Sequence, residues 1–319
     1  MNTVEAAAND LVLRFATRDP WTQSLSFTAG LQDRGWACLL AGGAVVAVQS
    51  RRDGPHARMQ RPQVIDVPQI DAICGRLPLR SFSVEPGLRG VIVDRDGDRH
   101  RWNYDAQAPS FGPLVDLGWR PLRRHQAHTK TRVVDLRPGL DEVVRSFASV
   151  ARRNVRAAQR ADIEYRDCSF AAVTDLELSG LRDLNREFLA AHPGLSNEWA
   201  LRLSVTRHLG ERGRYILAES GRRIVGAIYL VLHDRVATYF VAQASAEFKA
   251  QRVATGLVCA AMRVAIEHGC DLFDFSGVHD ERFPDRLASW KGFTTFKERY
   301  GGEDVYLPPG FDVPLPESQ

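Results

Sequence analysis

The sequence is short of the features that most often give a function away. Its five cysteines, Cys38, Cys74, Cys168, Cys259 and Cys270, are odd in number and scattered, with no CxxC pair. That suggests neither a disulfide framework nor a zinc site, so no metal site is expected and most of the cysteines read as small buried apolar residues. Excess charge of one sign is lacking as well. With 42 Lys+Arg against 39 Asp+Glu the net charge is +3, so any nucleic-acid role must rest on local basic patches. Long apolar runs are absent. The most apolar one, near Gly226–Leu232, is far too short to span a bilayer. The opening MNTVEAAANDLVLRF has no basic stretch followed by an apolar run, so it does not read as a secretory signal. A cytoplasmic location without membrane insertion is the expectation, and nothing in the sequence specifies an oligomeric state.

What is present is enough hydrophobic mass for two lobes: 319 residues at 44% hydrophobic content bury a large core. Along the first third, a helix is expected around Trp21–Arg34. Trp36–Leu40 and Ala44–Gln49 are apolar runs joined by Ala41-Gly42-Gly43, which is hairpin chemistry. Pro68–Arg76 reads as a helix with proline in its first turn. Val91–Val93 and His100–Tyr104 flank the polar Asp94–Asp98 segment, a second hairpin. Ala106–Gly118 reads as loop, and Thr131–Leu136 as a strand.

Asp141–Ala161 is the clearest helical period. Val143, Phe147, Val150, Ala151, Val155 and Ala158 share one face, with Asn154 among them and therefore expected to be buried. Arg145, Arg152, Arg153, Arg156 and Arg160 share the other face. That stripe is either a solvated face or a surface that tracks phosphates, for which guanidinium forks are suited. Further helices are expected at Asp175–Ala191, with Leu176, Leu181, Leu184 and Phe188 on its apolar side, and at Glu198–Leu209. Arg214–Glu219, Ile224–Leu232 and Val236–Ala244 are apolar runs separated by Ser220-Gly221 and His233-Asp234, hence an antiparallel meander. A long helix over Phe248–His268 ends on Gly269, and a strand at Leu272–Ser276 completes a β-β-β-α-β order.

The segment Cys270–Gly302, CDLFDFSGVHDERFPDRLASWKGFTTFKERYGG, follows from that strand. Aromatic rings and cations alternate in it close to a chain reversal: Trp290, Lys291, Phe293, Phe296, Lys297, Arg299 and Tyr300. Rings of this kind stack a base or an acyl chain, and the cations neutralise phosphate or a developing oxyanion. An amphipathic segment with core rings and solvated cations has the same pattern.

A strand reading DFSG, a variable loop and a GF-x-x-FK-x-x-Y-GG segment resemble the end of the Fem-type (FemABX) peptidyltransferases, the aminoacyl-tRNA-dependent enzymes that build peptidoglycan cross-bridges and have relatives in peptide antibiotic pathways. GWRPLRRHQAHTKTRVVDL at 118–136, ARRNVRAAQRADIEYR at 151–166 and ATYFVAQAS at 237–245 agree in the same order. The resemblance covers about Gly118–Gly302; it is loose before that, and the long coiled-coil arm of some members is missing. It implies an α+β chain of two GNAT-like (acyl-CoA N-acyltransferase) lobes, each a mixed sheet flanked by helices, divided as 1–136 and 137–319, with the transfer site in the second. The short hairpins at Gly35–Gln49 and Gly213–Leu232 would be remnants of the duplication.

The activity implied is aminolysis: an amino acid passes from aminoacyl-tRNA to an amine of a peptide, a peptidoglycan precursor or a peptide natural product. No cofactor beyond the co-substrate is implied. In such a fold the strands flanking the long helix part, and the donor carbonyl lies in the gap. By the resemblance Lys297 stabilises the oxyanion or the terminal phosphate, and Tyr239 on the first wall donates to the carbonyl or to the leaving oxygen. Asp274 on the second wall is the best-placed carboxylate, as a base or as a structural group. His279 in the variable loop is expected to be exposed, and specificity is expected in loops such as Gly277–Ala288. Arg152, Arg153, Arg156, Lys291, Phe296 and Arg299 would contact tRNA or substrate. Two other readings stay open. Gln251, Arg252, Ala254 and Gly256 approximate the GNAT pyrophosphate loop, with alanine at the first glycine position, which would make acyl-CoA the donor. The third reading is a non-catalytic RNA-binding relative.

Overall fold

The computed structural model describes residues 3–105, 112–123, 127–192, 199–284 and 290–316. Helix α1 (Thr3–Ala16) precedes α2 (Leu25–Gln32). The second is shorter than the expected Trp21–Arg34 because Pro20 and Ser24 are both extended, and Ser24 then caps it through the Phe27 N–H. The glycine hairpin forms as expected: β1 (Ala37–Ala41) and β2 (Ala44–Arg51) pair antiparallel across Gly42 and Gly43, at φ +58° and +83°. Strands β3 (Gly54–Gln60) and β4 (Val64–Asp66) lead to α3 (Val67–Arg76), which is capped by the Asp66 carboxylate and carries proline in its first turn. Then come β5 (Ser81–Glu85) and the second hairpin, β6 (Arg89–Val93) with β7 (Arg99–Asn103). The segment expected as loop contains a short helix, α4 (Gly112–Asp116); its residues 106–111 lie outside the described residues. Strand β8 (Arg120–Pro121) follows.

Strand β9 (Lys130–Asp135) precedes the first clear departure from expectation. Asp141–Ala161 is not one helix but two, α5 (Leu140–Ser146) and α6 (Ser149–Arg160). Phe147 and Ala148 between them are extended, at ψ 151° and 149°. The buried Phe147 ring stands edge-on to Tyr300, and the Ala148 N–H donates to the Arg299 carbonyl at 2.8 Å instead of continuing the helix. The apolar face survives the break, although Asn154 is half-buried rather than buried. Strand β10 (Glu164–Ser169) leads to α7 (Asp175–Ala191), closed by a Thr174/Glu177 capping box. Leu176, expected on the apolar side, is 82% exposed and so is outside the core. Helix α8 (Trp199–Leu209), the meander β11 (Gly213–Ser220), β12 (Arg223–His233) and β13 (Val236–Ala244), helix α9 (Val253–Glu267), β14 (Leu272–Gly277), α10 (Lys291–Glu298), β15 (Glu303–Tyr306) and β16 (Phe311–Asp312) complete the chain.

Two compact units divide these elements: Met1–Arg18 with Arg132–Asp304, and Asp19–Thr131 with Val305–Gln319. A single cut after residue 136 misses that interleaving. Helix α1 belongs with the later unit, where Arg14 bridges Asp135 and Arg18 bridges Asp271. The terminal strand β16 belongs with the earlier one, paired between β5 and β8. That earlier unit has a mixed sheet, β1-β2-β3-β5-β16-β8, and a small one, β4-β6-β7. Its core includes Val46, Met59, Ile70, Phe82 and Val84.

The other unit is built on a sheet ordered β10-β11-β12-β13-β14-β9-β15. Strand alternation assigns its two faces. Ile216 and Ala218 of β11 pack with α5, α6 and α9 on one side, while Tyr215 and Leu217 pack with α7 and Trp199 of α8 on the other. Among the described residues, no helix is long and apolar enough to cross a membrane.

Candidate active site

Strands β13 and β14 run parallel for only three registered pairs, Val236↔Leu272, Ala237↔Phe273 and Thr238↔Asp274. Beyond them the strands part. On the β13 side, Tyr229 of β12 faces Val241 and Leu230 faces Tyr239, so Phe240 is an inserted residue and β13 bulges where it leaves its neighbour. On the β14 side, Ser276 sits at φ +59°, a left-handed conformation that is costly for a residue other than glycine. The Asp274 carboxylate supports it by accepting the Ser276 N–H at 2.8 Å. These two distortions, one on each strand, open the gap.

Helix α10 supplies what faces it. Phe293, Phe296, Lys297 and Tyr300 share one helical face, while Lys291 and Glu298 are exposed. Tyr300 anchors the end: it is 1% exposed, packs against Phe147, Phe275 and Phe296, and donates its hydroxyl to Thr255 Oγ1 at 3.2 Å. Lys297 is buried and reaches both walls. Its Nζ donates to the Gly277 carbonyl, at the end of β14, at 2.6 Å, and lies 5.5 Å from the centroid of the Tyr239 ring on β13. Burial lowers its pKa to about 8, against the Asp274 charge, which raises it. An ammonium has three donors, so two remain for a ligand oxygen. The Tyr239 ring is half-buried against Phe273 and Phe275, and burial pushes its phenol up, so it stays a hydrogen-bond donor at neutral pH.

The structure thus brings together Lys297, Tyr239 and Asp274. The other residues singled out from the sequence are placed differently. Phe296 is half-buried in the Tyr300 cluster; Lys291 and Arg299 are exposed, and Arg299 uses its carbonyl to hold Ala148. Arg152 leaves the arginine stripe: its guanidinium caps the end of α5 by donating to the carbonyls of Arg145 and Phe147. Arg145 pairs with Glu142. Arg153, Arg156 and Arg160 are exposed and, among the described residues, have no carboxylate partner. His279 is half-buried rather than exposed. Its N–H donates to Thr294 Oγ1 at 2.7 Å, and its Nε2 is buried with no partner among the described residues. Residues 285–288 of the expected specificity loop lie outside the described residues.

At the pyrophosphate-loop match, Arg252 is left-handed at φ +59° and its carbonyl accepts the N–H groups of Thr255 and Gly256; Gln251 is half-buried and Ala254 exposed. Gly256 is a glycine for a packing reason. A Cβ there would overlap the Tyr165 hydroxyl. That contact is on the side of the helix packed against the core. Among the described residues no cluster suited to a metal is found.

Residues missed from the sequence are backbone or supporting groups: the Gly277 carbonyl, Ser276, Thr294, Thr255 and Arg132. Ser276 and Gly277 stand in the DFSG segment and Arg132 in a strand rich in β-branched residues, but the partners of Gly277 and Arg132 are distant in sequence.

The acetyltransferase (GNAT) domain family matches residues 145–286, which hold the meander, α9 and β14. The chain has the GNAT-like acyltransferase fold. FemX aligns over 98% of this chain and 96% of its own, at a TM-score of 0.73 and 13% identity. A tandem GNAT protein from the clavulanic acid biosynthesis pathway aligns over 99% and 96%, at 0.53 and 12%. The C-terminal domain of a protein assigned as a lysylphosphatidylglycerol synthetase from Agrobacterium fabrum aligns over 97% and 90%, at 0.60 and 15%. No curated protein matches the sequence. GNAT-like lobes occur here in tandem, as in FemX.

Proposed function

We propose that this chain is an aminoacyltransferase of Fem type, transferring an amino acid from aminoacyl-tRNA to an amine of a peptide or cell-wall precursor. The observation that carries the reading is the gap between β13 and β14, with Lys297 reaching both of its walls. In the reaction a neutral amine attacks the ester carbonyl. A C–N bond forms and the carbonyl oxygen takes up the negative charge. The C–O bond to the ribose then breaks, and the amine proton ends on the ribose oxygen. The ester is already activated, so positioning and charge stabilisation suffice for most of the acceleration. Protonated Lys297 donates to the oxyanion, and the Tyr239 hydroxyl donates to the carbonyl or the leaving oxygen. Asp274 shapes the wall through Ser276 and counters the desolvation of Lys297. Arg153, Arg156 and Arg160 offer unpaired guanidinium groups to the tRNA backbone.

The GNAT domain match supports a second reading, an acyl-CoA N-acyltransferase. Alanine at the first glycine position of the loop, Ala254, weighs against it. The test is a panel of charged tRNAs and CoA thioesters, each offered with candidate amines and read by mass spectrometry. Amide product is expected from a charged tRNA; product from a CoA thioester alone would replace this reading with the second, and RNA binding without any product would leave a non-catalytic protein.

A further inference from the structure

Lys297 is set in place by a turn that the chain holds from outside α10. Gly301 and Gly302 are both left-handed, at φ +76° and +77°, and their carbonyls meet one guanidinium. Arg132 of β9 donates from Nε to the Gly301 carbonyl at 2.7 Å, from Nη2 to the Gly302 carbonyl at 2.8 Å and from Nη1 to the Asp304 carboxylate at 2.6 Å. Three directions of the fork are therefore used on one short stretch, and only a planar, delocalised cation has that geometry. The side chain is 15% exposed, so water competes weakly for these bonds. The turn is pressed hard onto β9, since a Cβ on Gly302 would overlap the Val133 carbonyl oxygen. The residues just before it are pinned as well, by Ala148 on the Arg299 carbonyl and Thr255 on the Tyr300 hydroxyl.

We propose that Arg132 is a positioning residue whose fork over Gly301, Gly302 and Asp304 fixes the end of α10 and so holds Lys297 in the gap between β13 and β14. The proposal rests on the reading of Lys297 given above. A helix is stiff along its axis, so a slip of the turn carries straight into Lys297, which lies next to the last residue of α10. A misplacement of about 1 Å at a reacting centre costs up to about 100-fold in rate. The groups facing the Lys297 ammonium are the Gly277 carbonyl and Asp274 on β14 and Tyr239 on β13. The bonds of Arg132 go to Gly301, Gly302 and Asp304, so its influence travels through α10.

The test compares wild type with Arg132→Met, Arg132→Lys and Asp304→Asn on two readouts. One is kcat and KM for amide formation. The other is the pH dependence of Lys297 modification by an amine-selective reagent on the folded protein, read by mass spectrometry of the peptide that carries it. Wild-type Lys297 is expected to titrate near 8. In Arg132→Met the midpoint is expected to rise by about one unit or more as the ammonium gains water, and kcat to fall roughly 10- to 100-fold with KM little changed. Arg132→Lys keeps the charge but not the fork and should fall between the two. A folded Arg132→Met protein with an unmoved Lys297 midpoint and unchanged kcat overturns the proposal. If that variant does not fold, Asp304→Asn decides, since it removes only the carboxylate that orients the fork: a smaller shift in the same direction supports the proposal, and none overturns it. Should no donor yield product, the functional reading fails, while the titration still decides the role of Arg132.

Discussion

Lys297 is a cation in a place that penalises charge, and that makes it testable without any substrate. Its folded-state pKa of about 8 lies below the ordinary lysine value of 10.5. Below pH 8 both the folded and unfolded chains hold the proton, and the folded chain carries the full cost, about 3 kcal/mol for a shift of this size. Between 8 and 10.5 the unfolded chain binds more protons, so stability rises with pH and the cost fades. Lys297→Met should therefore stabilise the protein at pH 7 by about 2 kcal/mol, once the lost Gly277 hydrogen bond is allowed for, with the advantage vanishing by about pH 10.5. Urea denaturation across that range measures it; a destabilised variant at pH 7 would contradict the burial argument. The same titration shapes the rate. An ammonium that stabilises an oxyanion is lost as pH rises through about 8, so kcat should fall there. Lys297→Arg, whose charge persists, should remove that fall whatever it does to the maximum. Of these residues, Lys297 was legible from its place in the FK pair, and Tyr239 from the wall strand, where Phe240 beside it is the other aromatic. Arg152 read as part of a charged face because sequence spacing does not reveal that a helix stops within its reach.

At the scale of elements, turn chemistry made most of the fold readable. Glycine pairs and Asp-rich reversals bounded the hairpins, and the apolar period of α7 ran close to its observed ends. The break between α5 and α6 was not readable, because Phe147 and Ala148 fit the helical period and are displaced by partners far away in sequence, Tyr300 and Arg299. The same holds for the left-handed Ser276 and the bulge at Phe240, the two distortions that open the gap. The long helix began later than its apolar pattern implied, and its Gly256 answers to Tyr165 across the packing interface. Gly256→Ala should cost about 2 kcal/mol through overpacking, and the addition of Tyr165→Ala should recover part of that loss. A double-mutant cycle by thermal denaturation measures the coupling; additive effects would mean that the tyrosine does not occupy that space.

Over the whole molecule, the order of the elements pointed to one GNAT-like core and the resemblance to its duplication, whereas neither pointed to the interleaving of the two units. Helix α1 and strand β16 each join the unit distant from them in sequence, through Arg14, Arg18 and the strand pairs of Phe311. Periodicity is local and cannot report such long-range partners. Donor identity also belongs to this scale, because it depends on the basic surface, the loop before α9 and the gap together. The most direct test is transfer of a labelled amino acid from a charged tRNA pool to an amine acceptor, by wild type and by Lys297→Ala, with and without ribonuclease. The account predicts product that ribonuclease abolishes and that Lys297→Ala lowers about 100-fold or more, as loss of an oxyanion donor does. Product that survives ribonuclease, or that Lys297→Ala makes at the wild-type rate, would contradict it.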